Sequence, residues 1–99
     1  MTIERTMEKG SLVLALDGEL TANTADKLNS AIEAALNETN SLILDFSDME
    51  YVASAGLRIL LKAKKASNAK KGKFFIRNVS SDVMNVFEIT GFSEILDFL

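Results

Sequence analysis

The chain has 99 residues, 47% hydrophobic and 25% charged, a globular balance with room for one compact domain over residues 1–99. It has no cysteine and no histidine, so thiolate chemistry is absent and the commonest general base and metal ligand are missing; no enzyme, cofactor or metal is expected. The net charge of −3 speaks against nucleic-acid binding, which favours basic excess. No apolar run reaches signal-peptide length or the roughly 18 residues of a membrane helix, so a cytoplasmic protein with no stable membrane association is expected.

Residues 2–17 predict a β-hairpin. Ile3, Arg5 and Met7 alternate with Thr2, Glu4, Thr6 and Glu8, and Lys9-Gly10 supplies the turn. Leu12, Leu14 and Leu16 then share one face, with Val13 and Ala15 on the other. Residues 18–23 read as a loop. Asn23 is the expected N-cap of a first helix, with Asp26 reaching back to it. That helix runs to about Asn37 and buries Ala25, Leu28, Ile32, Ala35 and Leu36.

Residues 38–41 are turn material. Residues 42–46 are almost all apolar and predict a buried strand. A loop is expected from there to Ala53, then a second helix over 54–69 that buries Leu57, Leu60 and Leu61. Lys70-Lys71-Gly72-Lys73 is a basic turn whose cations suit a helix C-terminus. Residues 74–77 predict a strand. Ser80 or Ser81 caps a third helix with Val83, Val86 and Phe87 inside, and Gly91 ends it. Phe92, Ile95, Leu96 and Leu99 recur at helical spacing and predict a short terminal helix.

The order ββαβαβαα is that of an α/β fold, a four-stranded mixed sheet made of an N-terminal hairpin followed by parallel strands. Strands joined through helices run parallel with right-handed crossovers, so strand order 1-2-3-4 would put the helices mainly on one face.

The informative segment is Tyr51-Val52-Ala53-Ser54-Ala55-Gly56-Leu57-Arg58. Ser54 stands where an N-cap belongs. Ala55 and Gly56 leave the first turn nearly bare, so a partner's surface could approach the backbone. Two plainer readings stand beside these: Ser54 as a simple cap, and Gly56 as a close contact between helix and sheet.

Residues 51–61 resemble the signature of STAS-domain anti-anti-sigma factors, in which an aromatic and an aliphatic residue precede Asp-Ser-Ser-Gly-Leu or Ser-Ser-Ala-Gly-Leu-Arg. Asp17-Gly18-Glu19-Leu20 resembles the loop before that family's first helix. Residues 42–47 resemble its central strand, and residues 86–92 its Phe-x-x-x-Gly-Phe ending. The resemblance implies an anti-sigma factor antagonist: the chain binds an anti-sigma factor of the serine-kinase type and so releases a sigma factor. It implies phosphorylation at Ser54 by that partner, which holds the ATP, and a phosphoserine phosphatase as a further partner. The family's second motif serine is Ala55 here. Many members carry Asp before the target serine and in the loop after Gly-Glu-Leu, where this chain has Ala53 and Thr21. The implied contact surface is Tyr51, Val52, Ala53 and Ala55, Gly56, Leu57, Arg58, with Glu19, Leu20, Thr21, Ala22 and Asn23 beside it. Asp45, Asp48 and Glu50 would add repulsion to a phosphate if they lie near it. The alternatives are a STAS-type module for a nucleotide, lipid or anion, or a soluble STAS subunit of a transport complex, neither controlled through Ser54.

Overall fold

A computed structural model describes residues 1–99. The chain begins with two antiparallel strands, β1 (Thr2–Glu8) and β2 (Ser11–Leu20). Lys9 and Gly10 between them have φ of 50° and 86°, the paired left-handed conformation whose twist suits a two-residue hairpin. Helix α1 (Ala25–Glu38) leads to β3 (Ser41–Val52), α2 (Ser54–Ala69) to β4 (Lys73–Arg77), and α3 (Ser81–Thr90) ends at Gly91. The sheet order is β1-β2-β3-β4, with β2, β3 and β4 mutually parallel.

All three helices lie on one face of the sheet. Leu28, Ile32 and Ala35 of α1, Leu57, Leu60 and Ala63 of α2, and Val83 and Phe87 of α3 share one core with Leu12, Leu14, Leu16, Leu42, Leu44 and Ile76. Phe87 stacks between Phe46 and Phe98, at ring-centre distances of 6.2 and 5.6 Å. The opposite face carries no helix. Val13 and Ile43 are buried there all the same. Glu8 on β1 takes both Nη groups of Arg77 on β4, at 3.0 and 2.7 Å, and the diagonal between the two runs over Val13 and Ile43.

Four expectations are corrected. β3 does not stop at Phe46; it continues to Val52. Its register against β2 slips twice, between Ala15 and Asp17 and between Gly18 and Glu19, and each slip gives β3 one extra residue. The bulges turn Ser47-Asp48 and Glu50-Tyr51 outward in adjacent pairs and hide the period of two that marks a strand. β2 likewise runs on to Leu20. The N-cap of α1 is Thr24, not Asn23, and no side chain caps that helix. The Thr24 hydroxyl instead donates to the Glu19 carbonyl at 2.8 Å and accepts from the Thr21 amide at 2.9 Å.

The terminal segment is the fourth correction. Only Phe92–Glu94 makes a single 3₁₀ turn. Eight residues after Gly91 are few for an independent helix. The chain extends beside β4, where Ile76 N–H donates to Asp97 C=O and Leu99 N–H to Ile76 C=O, both at 3.0 Å. The tail thereby covers part of an otherwise open sheet edge.

Candidate functional site

β2 and β3 run side by side to their ends. Glu19 is paired with Tyr51 and Leu20 with Val52. One residue later the Ala53 N–H donates to the Leu20 carbonyl at 2.8 Å. This brings the residues 21–24 turn, which opens α1, next to the first turn of α2. Residues some thirty positions apart in sequence thus form one rim at the carboxyl ends of two parallel strands, the edge where open α/β sheets usually meet ligands.

Ser54 is the first residue of α2 and is exposed. The N-cap position belongs to Ala53, in extended conformation (φ −97°, ψ 171°), and no side chain caps the helix. The expectation that Ser54 itself caps α2 is thus off by one residue. Ala53 C=O accepts from Gly56 N–H at 2.9 Å and from Leu57 N–H at 3.2 Å. The N–H groups of Ser54 and Ala55 precede that first bond and stay open to an acceptor, at the positive end of the helix dipole.

The residues expected to face a partner divide into two sets. Glu19, Ala22, Asn23, Tyr51, Ser54 and Arg58 are exposed, and Thr21, Ala53 and Ala55 half-buried. Tyr51 keeps 51% of its surface accessible. Leu20, Val52, Gly56 and Leu57 are buried instead; their side chains hold the rim in place and do not present it. Gly56 faces inward onto Leu20 and not outward, so the bareness of the first turn comes from Ala55 and the small Ser54.

Asp45 is absent from this rim. It lies at least seven residues down β3 from Ser54, about 20 Å along a strand, on the helix-free face. Its carboxylate accepts from Ser47 O–H at 2.6 Å and Ser47 N–H at 2.9 Å. Arg77 Nε donates to it at 3.0 Å, and Asn78 Nδ2 lies 3.2 Å away. Burial by itself pushes this carboxyl up, but the bonds from Ser47, Arg77 and Asn78 outweigh it and hold the pKa at about 2. Arg77 also lowers Glu8, mainly through its hydrogen bonds. No local pattern could have announced the network, since Arg77 stands 32 residues from Asp45 and 69 from Glu8. Glu19 and Glu50 stand near the ends of the two strands that lead to this rim, and Arg58 follows one turn into α2.

Residues 2–98 match the STAS domain.

The chain belongs to the STAS family. It is 31% identical over 93 residues to BtrV of Bordetella bronchiseptica, a candidate anti-sigma factor antagonist, covering 91% of this chain and 80% of that one. It is also 31% identical over 81 residues to the anti-sigma-B factor antagonist of Listeria monocytogenes, covering 81% and 71% of the two chains. Among solved structures, the phosphorylated form of the Bacillus cell-fate determinant SpoIIAA superposes with a TM-score of 0.74 at 20% identity, over 99% of this chain and 91% of that one. That likeness is one of fold. No helix of this STAS chain is long and apolar enough to cross a membrane.

Proposed function

We propose that this STAS domain is an anti-sigma factor antagonist whose docking is switched at Ser54. In this reading the rim of Glu19, Asn23, Tyr51, Ser54 and Arg58 binds an anti-sigma factor with serine-kinase activity, in the cytoplasm. The bound anti-sigma factor lets go of its sigma factor. The kinase supplies ATP and places a phosphate on Ser54; a phosphoserine phosphatase removes it. The chain itself takes no catalytic part, in keeping with its lack of histidine and cysteine. Support comes from relatives named as anti-sigma factor antagonists and from the existence of a phosphorylated SpoIIAA with the same fold.

The observation that carries the reading is the state of Ser54. Its side chain is exposed and caps nothing, so a kinase can reach the hydroxyl without unmaking the helix. Phosphoserine brings about −1.5 to −2 charges. The open N–H groups of the first turn and the helix dipole tolerate that charge. A partner that must bury it unpaired does not, at a cost of several kcal/mol, and every ~1.4 kcal/mol is tenfold in affinity.

The test uses an anti-sigma factor from the same genome. Ser54→Asp should weaken its binding by at least about a hundredfold, with the melting temperature nearly unchanged. Ser54→Ala should bind as wild type does and take no phosphate from ATP. Equal affinity of Ser54→Asp and wild type, or phosphate located on another residue, overturns the switch.

A further inference from the structure

The end of the sheet opposite Ser54 holds a concavity of about 430 Å³ with no hydrophobic residue in its wall. It forms where β2, β3 and β4 begin. Lys9 lines it from the hairpin turn, Lys71 from the turn between α2 and β4, and Lys73 from the first position of β4. Ser11 and Ser41, the first residues of β2 and β3, form its floor.

None of these three lysines is in an ion pair. The pairs in the molecule are Arg5–Glu38, Lys64–Asp97 and the two made by Arg77. The acidic residues closest in sequence are both drawn elsewhere. Glu8, adjacent to Lys9, is bound by Arg77 across the helix-free face, and Glu38, adjacent to Thr39 in the wall, is bound by Arg5. Lys70 is spent on the carbonyls of Leu36 and Thr39 at the end of α1. A chain with net charge −3 thus gathers three uncompensated cations around one hollow.

The floor offers donors as well. The Ser11 and Ser41 hydroxyls are 2.7 Å apart. One donates to the other, which leaves the second O–H free to donate to a third group. The Thr39 hydroxyl is tied to the Ser41 carbonyl at 3.2 Å and accepts from the Ser41 N–H at 3.0 Å, which fixes that corner. Three unpaired lysines and a hydroxyl pair lining one hollow, with no carboxylate in the wall, are complementary to clustered phosphate oxygens.

We propose that this hollow is a binding site for a small multiply charged phosphate compound, of the diphosphate class. A concave site lined by cations from two turns and from the start of β4 suits a compact anion better than an extended one. The proposal does not rest on the role given to Ser54, which lies at the other end of the sheet.

Inorganic pyrophosphate is the probe, titrated into the ¹⁵N-labelled full chain at low ionic strength. The expected result is saturable shifts confined to Gly10, Ser11, Asn40, Ser41 and Gly72, with affinity falling as salt rises. Lys9→Ala/Lys73→Ala should weaken binding at least tenfold with an unchanged melting curve. Lys62→Ala/Lys65→Ala, on the exposed side of α2, should bind as wild type does. Adenosine diphosphate in place of pyrophosphate should move the same resonances, since the diphosphate is what the site reads. Non-saturating shifts, shifts spread over all lysine-bearing segments, or undiminished binding by the first double variant overturn the site. So does binding to anionic phosphatidylglycerol vesicles or to single-stranded RNA without any response to pyrophosphate.

Discussion

The Leu20 side chain rests directly on the backbone of Gly56: a Cβ at position 56 would lie 2.4 Å from Leu20 Cγ and 2.7 Å from Cδ2. The end of β2 and the start of α2 are therefore seated one on the other. Leu20 is fully buried and cannot swing aside into solvent. Gly56→Ala should destabilise by about 1–3 kcal/mol through overpacking. Leu20→Ala should cost about 2–5 kcal/mol by leaving a cavity. The double variant should be more stable than the sum implies, by about 1 kcal/mol or more, because the new methyl enters the space the leucine leaves. Urea denaturation of the four proteins measures the cycle. Strict additivity would show that the two residues do not share that space.

Two serines at helix starts should behave differently. Ser80 Oγ accepts from Val83 N–H at 3.2 Å and caps α3. The hydroxyl of Ser54 caps nothing. Ser80→Ala should cost about 1 kcal/mol. Ser54→Ala should change stability by less than about 0.5 kcal/mol, as an exposed position without a structural bond does. Chemical denaturation at pH 7 decides it. A large loss in Ser54→Ala would mean that the hydroxyl has a structural task, and that phosphate there would disturb the fold.

The contrast also shows where the sequence was legible. The bounds of α2, a serine cap on α3 at Ser80 or Ser81, the left-handed Gly91 and the Lys9-Gly10 turn follow from local rules, and local geometry obeys them, with Ser80 as the cap. The single helix-bearing face follows from the crossovers in strand order 1-2-3-4 and from the polar alternation of β1. The second half of β3 was hidden because two bulges replace alternation with outward pairs at 47–48 and 50–51. At the site, Ser54 and its neighbours were legible from one contiguous motif. The burial of Gly56 was visible only as one of two readings, since its partner Leu20 comes from another strand. The Asp45–Arg77–Glu8 network and the lysine hollow join residues far apart in sequence, and composition carries no trace of either.

Ser67 offers a test in the opposite direction. It is 1% exposed, in the last turn of α2, and its hydroxyl has no hydrogen-bond partner. A buried polar group left unpaired loses the solvation it had in the unfolded chain. Ser67→Ala should therefore stabilise the protein by about 1 kcal/mol, where Ser→Ala at a paired position destabilises. The position is also tight: a Cβ on Gly72 would stand 2.8 Å from the Asn40 carbonyl oxygen and 3.1 Å from Ser67 Oγ. Ser67→Val, which adds bulk beside Gly72, should lose stability even though it also removes the hydroxyl. A rise in melting temperature for Ser67→Ala with a fall for Ser67→Val is the expected pair of results; a fall in both would mean the hydroxyl is satisfied.

Acid should reveal the network on the helix-free face. The folded-state pKa of Asp45 is about 2 against an ordinary 3.8. A carboxyl depressed by folding contributes its full stabilisation above the unfolded value. That contribution shrinks as pH falls from 4 through 2, because the folded protein then has to take up a proton it resists. The shift corresponds to roughly 2 kcal/mol. Glu8 is lowered in the same sense by its hydrogen bonds to Arg77, so it adds to the slope without changing its sign. Asp45→Asn removes the titrating group, and its stability should vary less between pH 4 and 2 than that of wild type, although at pH 7 it is the less stable protein. Arg77→Gln keeps both carboxyls but takes away their shared cation. It should raise both pKa values, move the acid transition to higher pH, and uncover Val13 and Ile43. Urea midpoints at pH 7, 4, 3 and 2.5 for the three proteins separate these effects. An identical pH slope for wild type and Asp45→Asn would mean that the carboxylate is not held by Ser47, Arg77 and Asn78 in solution.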